Sequence, residues 1–387
     1  MQPLEKKAIF IPAVADVFRS KLWKSNYKYK NHDMRFFQGD SFFQYNYALT
    51  TTYWELLEGT ISFRNEYKYP ENYILIADSG GFQIANFRSK GNKIEVSSLQ
   101  VLRWMEANAD IGMNLDVPPW SNFNASLKES IENFELFEKN RINYDMKLYN
   151  VLHGKTLDEM KTWYSAVEKF KSFNGWALGV RPADNVYLQT LGYMFLHEKD
   201  ALNLNTNFHM FGISGIKNML VMAMLSNHFD SSITFDSSSY ATGSIYRRFY
   251  FPKDIRFSTD FGRTSKLNMK SIPCNCPVCR NLTIEDLYQR TGTDVGTLLM
   301  LHNLYQYIEV NRMVNALVTD DYAFMEYAKS VGEEKTVKIV SSMIEYYHNN
   351  GCDKTYNKYK HLMTLRNTDS VERNMFSYPE VKNENNS

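Results

Sequence analysis

Cysteine is scarce in this sequence: four in 387 residues. That excludes the disulfide frameworks that hold small secreted domains together. Net charge is nearly absent too. Forty-four Lys and Arg oppose 43 Asp and Glu, leaving +1. A polybasic, histone-like binder of nucleic acid is excluded, while an enzyme with one local basic face is not. No uncharged apolar run reaches the roughly 18 residues of a membrane span. The opening stretch MQPLEKKAIFIPAVADVF is too short and too soon charged to read as a secretory leader. The expected location is therefore reducing and cytoplasmic, which for a phage-encoded protein means the host cytoplasm. No Pro/Gly/Ser linker, low-complexity block or internal repeat divides the chain, so residues 1–387 read as one domain with a polar tail at 380–387. What is abundant is aromatic surface: 26 Tyr and 25 Phe in a chain that is 44% hydrophobic and 22% charged, a globular composition.

Short apolar runs recur, each ending in small or polar residues. They are Tyr73–Ala77 before Asp78-Ser79-Gly80-Gly81, Ile111–Leu115 before Asp116-Val-Pro-Pro, and Met146–Leu152 before His153-Gly154. Trp176–Val180, His209–Ile213 and Ser232–Phe235 before Asp236 complete the set. Runs without strict alternation suit strands covered on both faces. Between them lie helical patterns over Ser98–Ala107, Ser126–Asn140 and Lys217–His228. Another opens at Thr156-Leu157-Asp158-Glu159, a capping-box signature. Strand–helix alternation of this length predicts an α/β (β/α)8 TIM barrel. A zinc-binding subdomain is expected near 262–315 and helices near 316–375. In such a barrel the residues just past the strand C-termini line the active site, which selects Asp78, Asp116, His153 and Asp236.

Cys274-x-Cys276-x-x-Cys279 lies 23 residues before His302, in a helical stretch. Three thiolates and one imidazole make a closed tetrahedral set for Zn2+, with no position left for a reacting water. Ordinary buried thiols are the alternative, but this spacing rarely arises without a metal. Such a zinc is structural. Cys352 stands apart as a spare thiol. In the Asp78–Gln83 segment (DSGGFQ), Gly80 and Gly81 allow positive φ or close approach to a planar ligand. Taken alone, the segment reads equally as a tight turn with a capping Asp. Three aspartates on one rim are costly unless used.

DSGGFQ, the CNCPVC…His302 pattern and the order of the strand-end aspartates together resemble the queuine/archaeosine guanine transglycosylases, over about residues 70–315. The resemblance implies a zinc-stabilised TIM barrel, a pentosyltransferase that exchanges guanine in nucleic acid for a 7-deazaguanine. It makes Asp236 the nucleophile toward the sugar C1′ and Asp78 the general acid/base. Asp116 becomes the reader of the base's N1–H and amine. Ser79, Gly80, Gly81, Gln83, His153 and the Leu178-Gly179-Val180 segment line the base pocket. Met210 is the apolar lid. The base must leave its stack to reach such a site.

Two departures from the family pattern matter. His153-Gly154 stands where the family has Gln-Gly. Ser237–Arg248 replaces the Pro-Thr-Arg-like segment with which bacterial enzymes read the anticodon. That second departure favours DNA as substrate, with an inserted base of the preQ0 type, and tRNA as the alternative. A non-catalytic zinc-stabilised partner subunit is a further alternative. A metal-dependent hydrolase is disfavoured, because the rim holds only one His. Tyr246, Arg247, Arg248 and Lys253 interleave cations with aromatics and are expected to contact nucleic acid. Lys21, Trp23, Lys24, Tyr27, Lys28, Tyr29, Lys30 and Arg35 form a second such segment, equally readable as a solvated face. A homodimer is compatible with the sequence, and no membrane partner is expected.

Overall fold

Eight strands, all parallel, form one continuous sheet in a computed structural model that describes residues 4–14, 28–91, 96–119, 122–170, 172–179, 185–202, 207–258, 272–288 and 297–363. They are β1 (Ala8–Pro12), β2 (Tyr47–Thr51), β3 (Ile74–Asp78), β4 (Ile111–Met113), β5 (Lys147–Leu152), β6 (Gly175–Leu178), β7 (Asn207–Met210) and β8 (Ile233–Ser237). The spatial order is β1-β8-β7-β6-β5-β4-β3-β2. Its ends meet where Ala13 bridges Leu49 and the Val14 N–H donates to the Leu49 carbonyl at 2.8 Å. This is the expected (β/α)8 barrel. β1 and β2 join the six strands read from the sequence.

Strand alternation sorts the side chains. Ile9, Ile11, Leu49, Ile76, Met113 and Val151 belong to an apolar plug inside the barrel. A larger cluster, with Phe10, Leu75, Leu148 and Met210, fills the layer between strands and helices. Helices fall where periodicity places them at Ser98–Asn108, Phe123–Asn140, Leu157–Val167 and Ile216–His228, and the structure adds Val186–Glu198 between β6 and β7. Thr156 caps the third of these by accepting from the Glu159 N–H.

The β1–β2 seam is closed only near the mouth. Farther down, side chains from elsewhere take up the β1 backbone groups. The long helix Thr297–Leu317 packs on β1 and on Ile216–His228, the place of an eighth barrel helix. Its Asn311 accepts from the Phe10 N–H at 3.1 Å. Asn315 accepts from the Ala8 N–H at 3.0 Å and donates to the Ala8 carbonyl at 2.8 Å. Tyr45 donates its hydroxyl to the Phe10 carbonyl at 2.6 Å. A strand edge inside a protein must find such partners.

Between β8 and that helix the chain makes a short helix, Ser239–Ile245, and a hairpin of β9 (Phe249–Tyr250) with β10 (Phe257–Ser258). A knuckle around Cys274–Cys279 follows. Helices Asp321–Ser330 and Glu334–Tyr359 follow, the latter kinked at Gly351 and packed on Val186–Glu198, and a 3-10 turn at Lys360–Leu362 ends the described chain. The expected boundaries near 262 and 375, and the tail at 380–387, lie outside the described residues. No helix among the described residues is long and apolar enough to cross a membrane.

Replacing Asn311 by Ala leaves the buried Phe10 N–H without its acceptor. The expected cost is about 1–3 kcal/mol, read as a lower urea midpoint at unchanged slope.

Candidate active site and metal centre

Asp78, Asp116, His153 and Asp236 all lie at C-terminal strand ends of the barrel, on one rim. Asp78 closes β3, and the chain turns at Gly80 into the helix Gly81–Ser89. Gly80 has φ 91°, and a Cβ there would lie 2.4 Å from Tyr53 Cβ. Only glycine fits this turn. A Cβ at Gly81 would lie 2.0 Å from the Asp116 carbonyl oxygen, so Gly81 lets the Asp78 turn abut the Asp116 loop. The buried Ser79 hydroxyl donates to the Asn114 carbonyl at 3.2 Å and fastens the two together.

Two of the three carboxylates have a buried histidine partner. His153 Nδ1 contacts the Gly179 carbonyl at 2.6 Å, and Nε2 contacts Asp116 Oδ2 at 2.6 Å. A carbonyl only accepts, so Nδ1 carries a hydrogen. The second contact then holds one proton between imidazole and carboxyl. Gly179 makes room for the ring: a Cβ there would lie 2.3 Å from His153 Cε1. Asp236 is held differently. Its Oδ1 accepts from the Gly212 N–H at 2.8 Å and from His209 Nε2 at 3.2 Å.

Asp78 has no histidine or cationic partner among the described residues. Burial, then the charges of Asp116 and Asp236, push its carboxyl up to about 7. The Gly80 and Ser79 N–H groups oppose the shift only partly. One acid poised near neutrality beside two partnered carboxylates is the split that acid–base chemistry needs.

Other expected site residues are distributed unevenly. Gln83 Oε1 and Asn114 Nδ2 are buried with no partner among the described residues. Orphan amide atoms flanking the carboxylates suit the edge of a planar ligand. Met210 does not face the mouth. It belongs to the layer between strands and helices, whereas Phe211 packs against the interior plug and meets the His209 ring edge-on at 4.9 Å. The expectation for Met210 is thus one residue out of phase, because alternation puts 209 and 211 on the inner face. His209 escaped sequence reading, since it sits within an apolar run before β7's end. Val180 lies outside the described residues.

Tyr246 is 61% exposed, with the Arg248 guanidinium 5.4 Å from its ring centroid. Arg247 is half-buried, between the short helix after β8 and the hairpin, and Lys253 is exposed in the hairpin's own turn. The second basic segment is largely committed internally. Arg35 is buried, donating to Asp33 at 2.9 Å and to the Tyr67 carbonyl at 3.2 Å. Lys28 pairs with Asp40, and Lys30 with Asp286 at 2.8 Å. Arg35 is therefore a core ion pair and not a phosphate contact. Lys21, Trp23, Lys24 and Tyr27 lie outside the described residues.

Cys274, Cys276, Cys279 and His302 bring one ligand atom each to within 4.8 Å of one another. His302 Nε2 donates to the Tyr250 carbonyl at 2.9 Å, which leaves the Nδ1 lone pair facing the sulfurs, 3.1 Å from Cys279 Sγ and 3.4 Å from Cys276 Sγ. Backbone N–H groups of Cys276 and Cys279 donate to the preceding sulfurs, and the Gln306 amide donates to Cys274. Phe249 stacks on His302 at 4.0 Å. This closed, supported donor set fits a structural zinc. It ties the hairpin after β8 to the eighth-position helix. Cys352 is buried far from it in the C-terminal helix.

A parallel barrel with an acidic rim and a Cys3His clip after its last strand defines a zinc-clipped TIM-barrel protein. The chain belongs to the family described as queuine tRNA-ribosyltransferase, whose sequence profile matches residues 44–336. It is similar to the tRNA-guanine(15) transglycosylase of Saccharolobus solfataricus, at 30% identity over 62% of this chain and 47% of that protein. The proteins of that name from Methanococcus aeolicus and Pyrococcus furiosus are 27% and 24% identical, over 63% and 71% of this chain and 37% and 45% of theirs. The chain thus spans less than half the length of these relatives.

Metal analysis is expected to give about one zinc per chain, retained in Asp78→Ala and lost in Cys279→Ser along with thermal stability. Gly179→Ala, by displacing the His153 ring, is expected to cost about 1–3 kcal/mol in urea unfolding.

Proposed function

We propose that the protein exchanges a guanine base in a polynucleotide for a 7-deazaguanine through a covalent aspartyl–sugar intermediate, and that the polynucleotide is tRNA. The observation that carries this reading is the division of labour among the carboxylates. Asp116 and Asp236 are each held by a histidine, and Asp78 is left alone near neutrality.

Asp236 attacks C1′ of the flipped nucleotide. The C1′–N bond breaks with its electron pair passing to guanine, which takes the Asp78 proton as it leaves. The incoming base gives a proton back to Asp78 and attacks C1′, and the carboxylate departs. A group near 7 can hold or release a proton at the same working pH, which both halves of the reaction require. The Asp116–His153 pair and the orphan atoms of Gln83 and Asn114 meet the base edge. The zinc stabilises the scaffold and takes no part in the chemistry.

The similarity to tRNA-guanine(15) transglycosylases favours tRNA. The sequence argument for DNA rests on the unusual Ser237–Arg248 segment and on divergence outside the catalytic core. Part of that segment is a helix packed on Thr297–Leu317, with Tyr240, Ala241 and Ser244 buried. Its composition answers to that packing, so it weighs little for or against an anticodon reader. Tyr246, Arg247, Arg248 and Lys253 remain the proposed backbone and stacking contacts.

The test offers radiolabelled guanine with either a guanine-containing tRNA transcript or double- and single-stranded DNA. Label is expected in tRNA, with Asp236→Ala slowing incorporation by roughly 10³-fold or more. Label only in DNA overturns the tRNA assignment. Full exchange by Asp236→Ala overturns the nucleophile.

A further inference from the structure

His209 is fully buried, as is Thr234. It lies on the inner face of β7. Its two ring nitrogens reach two polar atoms of β8 on the same face, Thr234 and Asp236, two residues apart. Nδ1 is 2.9 Å from Thr234 Oγ1, and Nε2 is 3.2 Å from Asp236 Oδ1. Gly212 N–H donates to the same Oδ1 at 2.8 Å. The Asp236 carboxylate thus receives two donors on one oxygen. Oδ2 receives neither.

We infer that His209 is a positioning residue for the Asp236 carboxylate: it holds Oδ1 so that Oδ2 is the atom that bonds to the sugar. The inference rests on the base-exchange reading above. A carboxylate accepts, so Nε2 carries a hydrogen toward Asp236, while Nδ1 and the Thr234 hydroxyl share a hydrogen bond on the other side of the ring. That hydroxyl also lies 3.2 Å from the Phe208 carbonyl, the longer of its two contacts. The chain Thr234–His209–Asp236 therefore fixes the ring's orientation, as a partner behind a ligating imidazole does elsewhere. Phe211 packs edge-on against the ring, which is fully buried.

The consequence differs between the two halves of the reaction. In the first, an Oδ2–C1′ bond forms while C1′–N breaks and guanine takes the electron pair and the Asp78 proton. Oδ1 becomes the carbonyl oxygen of the ester. In the second, Oδ2–C1′ breaks, and negative charge returns to both oxygens. The hydrogen bonds at Oδ1 then stabilise the departing carboxylate. Loss of His209 therefore slows departure of the carboxylate more than it weakens binding.

The experiment compares His209→Leu, His209→Gln and Thr234→Val with wild type. The substrates are a tRNA transcript and labelled guanine, or DNA should that be the labelled substrate. The readouts are kcat, KM for the polynucleotide, and the protein–nucleic acid adduct surviving denaturing electrophoresis. His209→Leu is expected to lower kcat roughly 10²-fold with KM changed less than about threefold, and to raise the adduct fraction. His209→Gln, which keeps a donor, recovers part of kcat. Thr234→Val falls between. A folded His209→Leu, by zinc content and melting temperature, with wild-type kcat overturns the inference. So does a loss carried wholly by KM. Should His209→Leu not fold, a folded His209→Phe, which keeps a ring but no donor, with wild-type kcat and adduct fraction overturns it equally. Wild-type protein with no exchange and no adduct on either polynucleotide sinks the base-exchange reading itself, a separate outcome.

Discussion

Three carboxyl groups in one barrel mouth repel one another, and the site is arranged around that repulsion. Like charges this close cannot all be ionised without compensation. Here two are hydrogen-bonded to buried imidazoles, Asp116 to His153 and Asp236 to His209, while burial and those two neighbours push the third up to about 7. The residual strain of the cluster is thereby concentrated on Asp78, the group that acid–base work needs unpaired. Glycines make the crowding sterically feasible. Gly81 brings the Asp78 turn against the Asp116 backbone, and Gly179 leaves space for the His153 ring.

The barrel supplies the rigidity this arrangement demands. β7 and β8 are adjacent and parallel, so His209 and Thr234 face each other in register. The rest of the chain after β8 secures the strand that carries Asp236. The Cys3His set joins its hairpin to the helix Thr297–Leu317, and that helix in turn caps the open edge of β1 through Asn311 and Asn315. Zinc, helix and seam form one mechanical unit beneath the proposed nucleophile, which is why a metal without chemical duties belongs in this fold.

Much of this was legible in the sequence. Strand-end aspartates announce themselves as a set, since one alone reads equally as a turn cap but three on one rim are costly unless used, and the Cys spacing speaks for metal independently of fold. β1 and β2 were not legible, since AIFIP and YALTT end in no charged residue that marks a mouth. His209 was hidden for a related reason: within an apolar run an imidazole looks like core, and only its register with β8 reveals a partner. Met210 was assigned to the mouth because a sequence motif carries no phase. The strand does, and it turns Phe211 inward instead. Arg35 looked like a surface cation because its partner, Asp33, is two residues away and the pair's burial comes from distant chain at Tyr67.

The central claim concerns where the proton resides. Carbon-13 NMR titration of the aspartate side chains, with the Asp78 signal identified by its loss in Asp78→Asn, reads it directly. The account predicts a midpoint near 7 for Asp78, moving down toward the ordinary carboxyl range in Asp236→Asn, where one repelling charge is gone. An Asp78 midpoint near the ordinary 3.8, unmoved by Asp236→Asn, would contradict it.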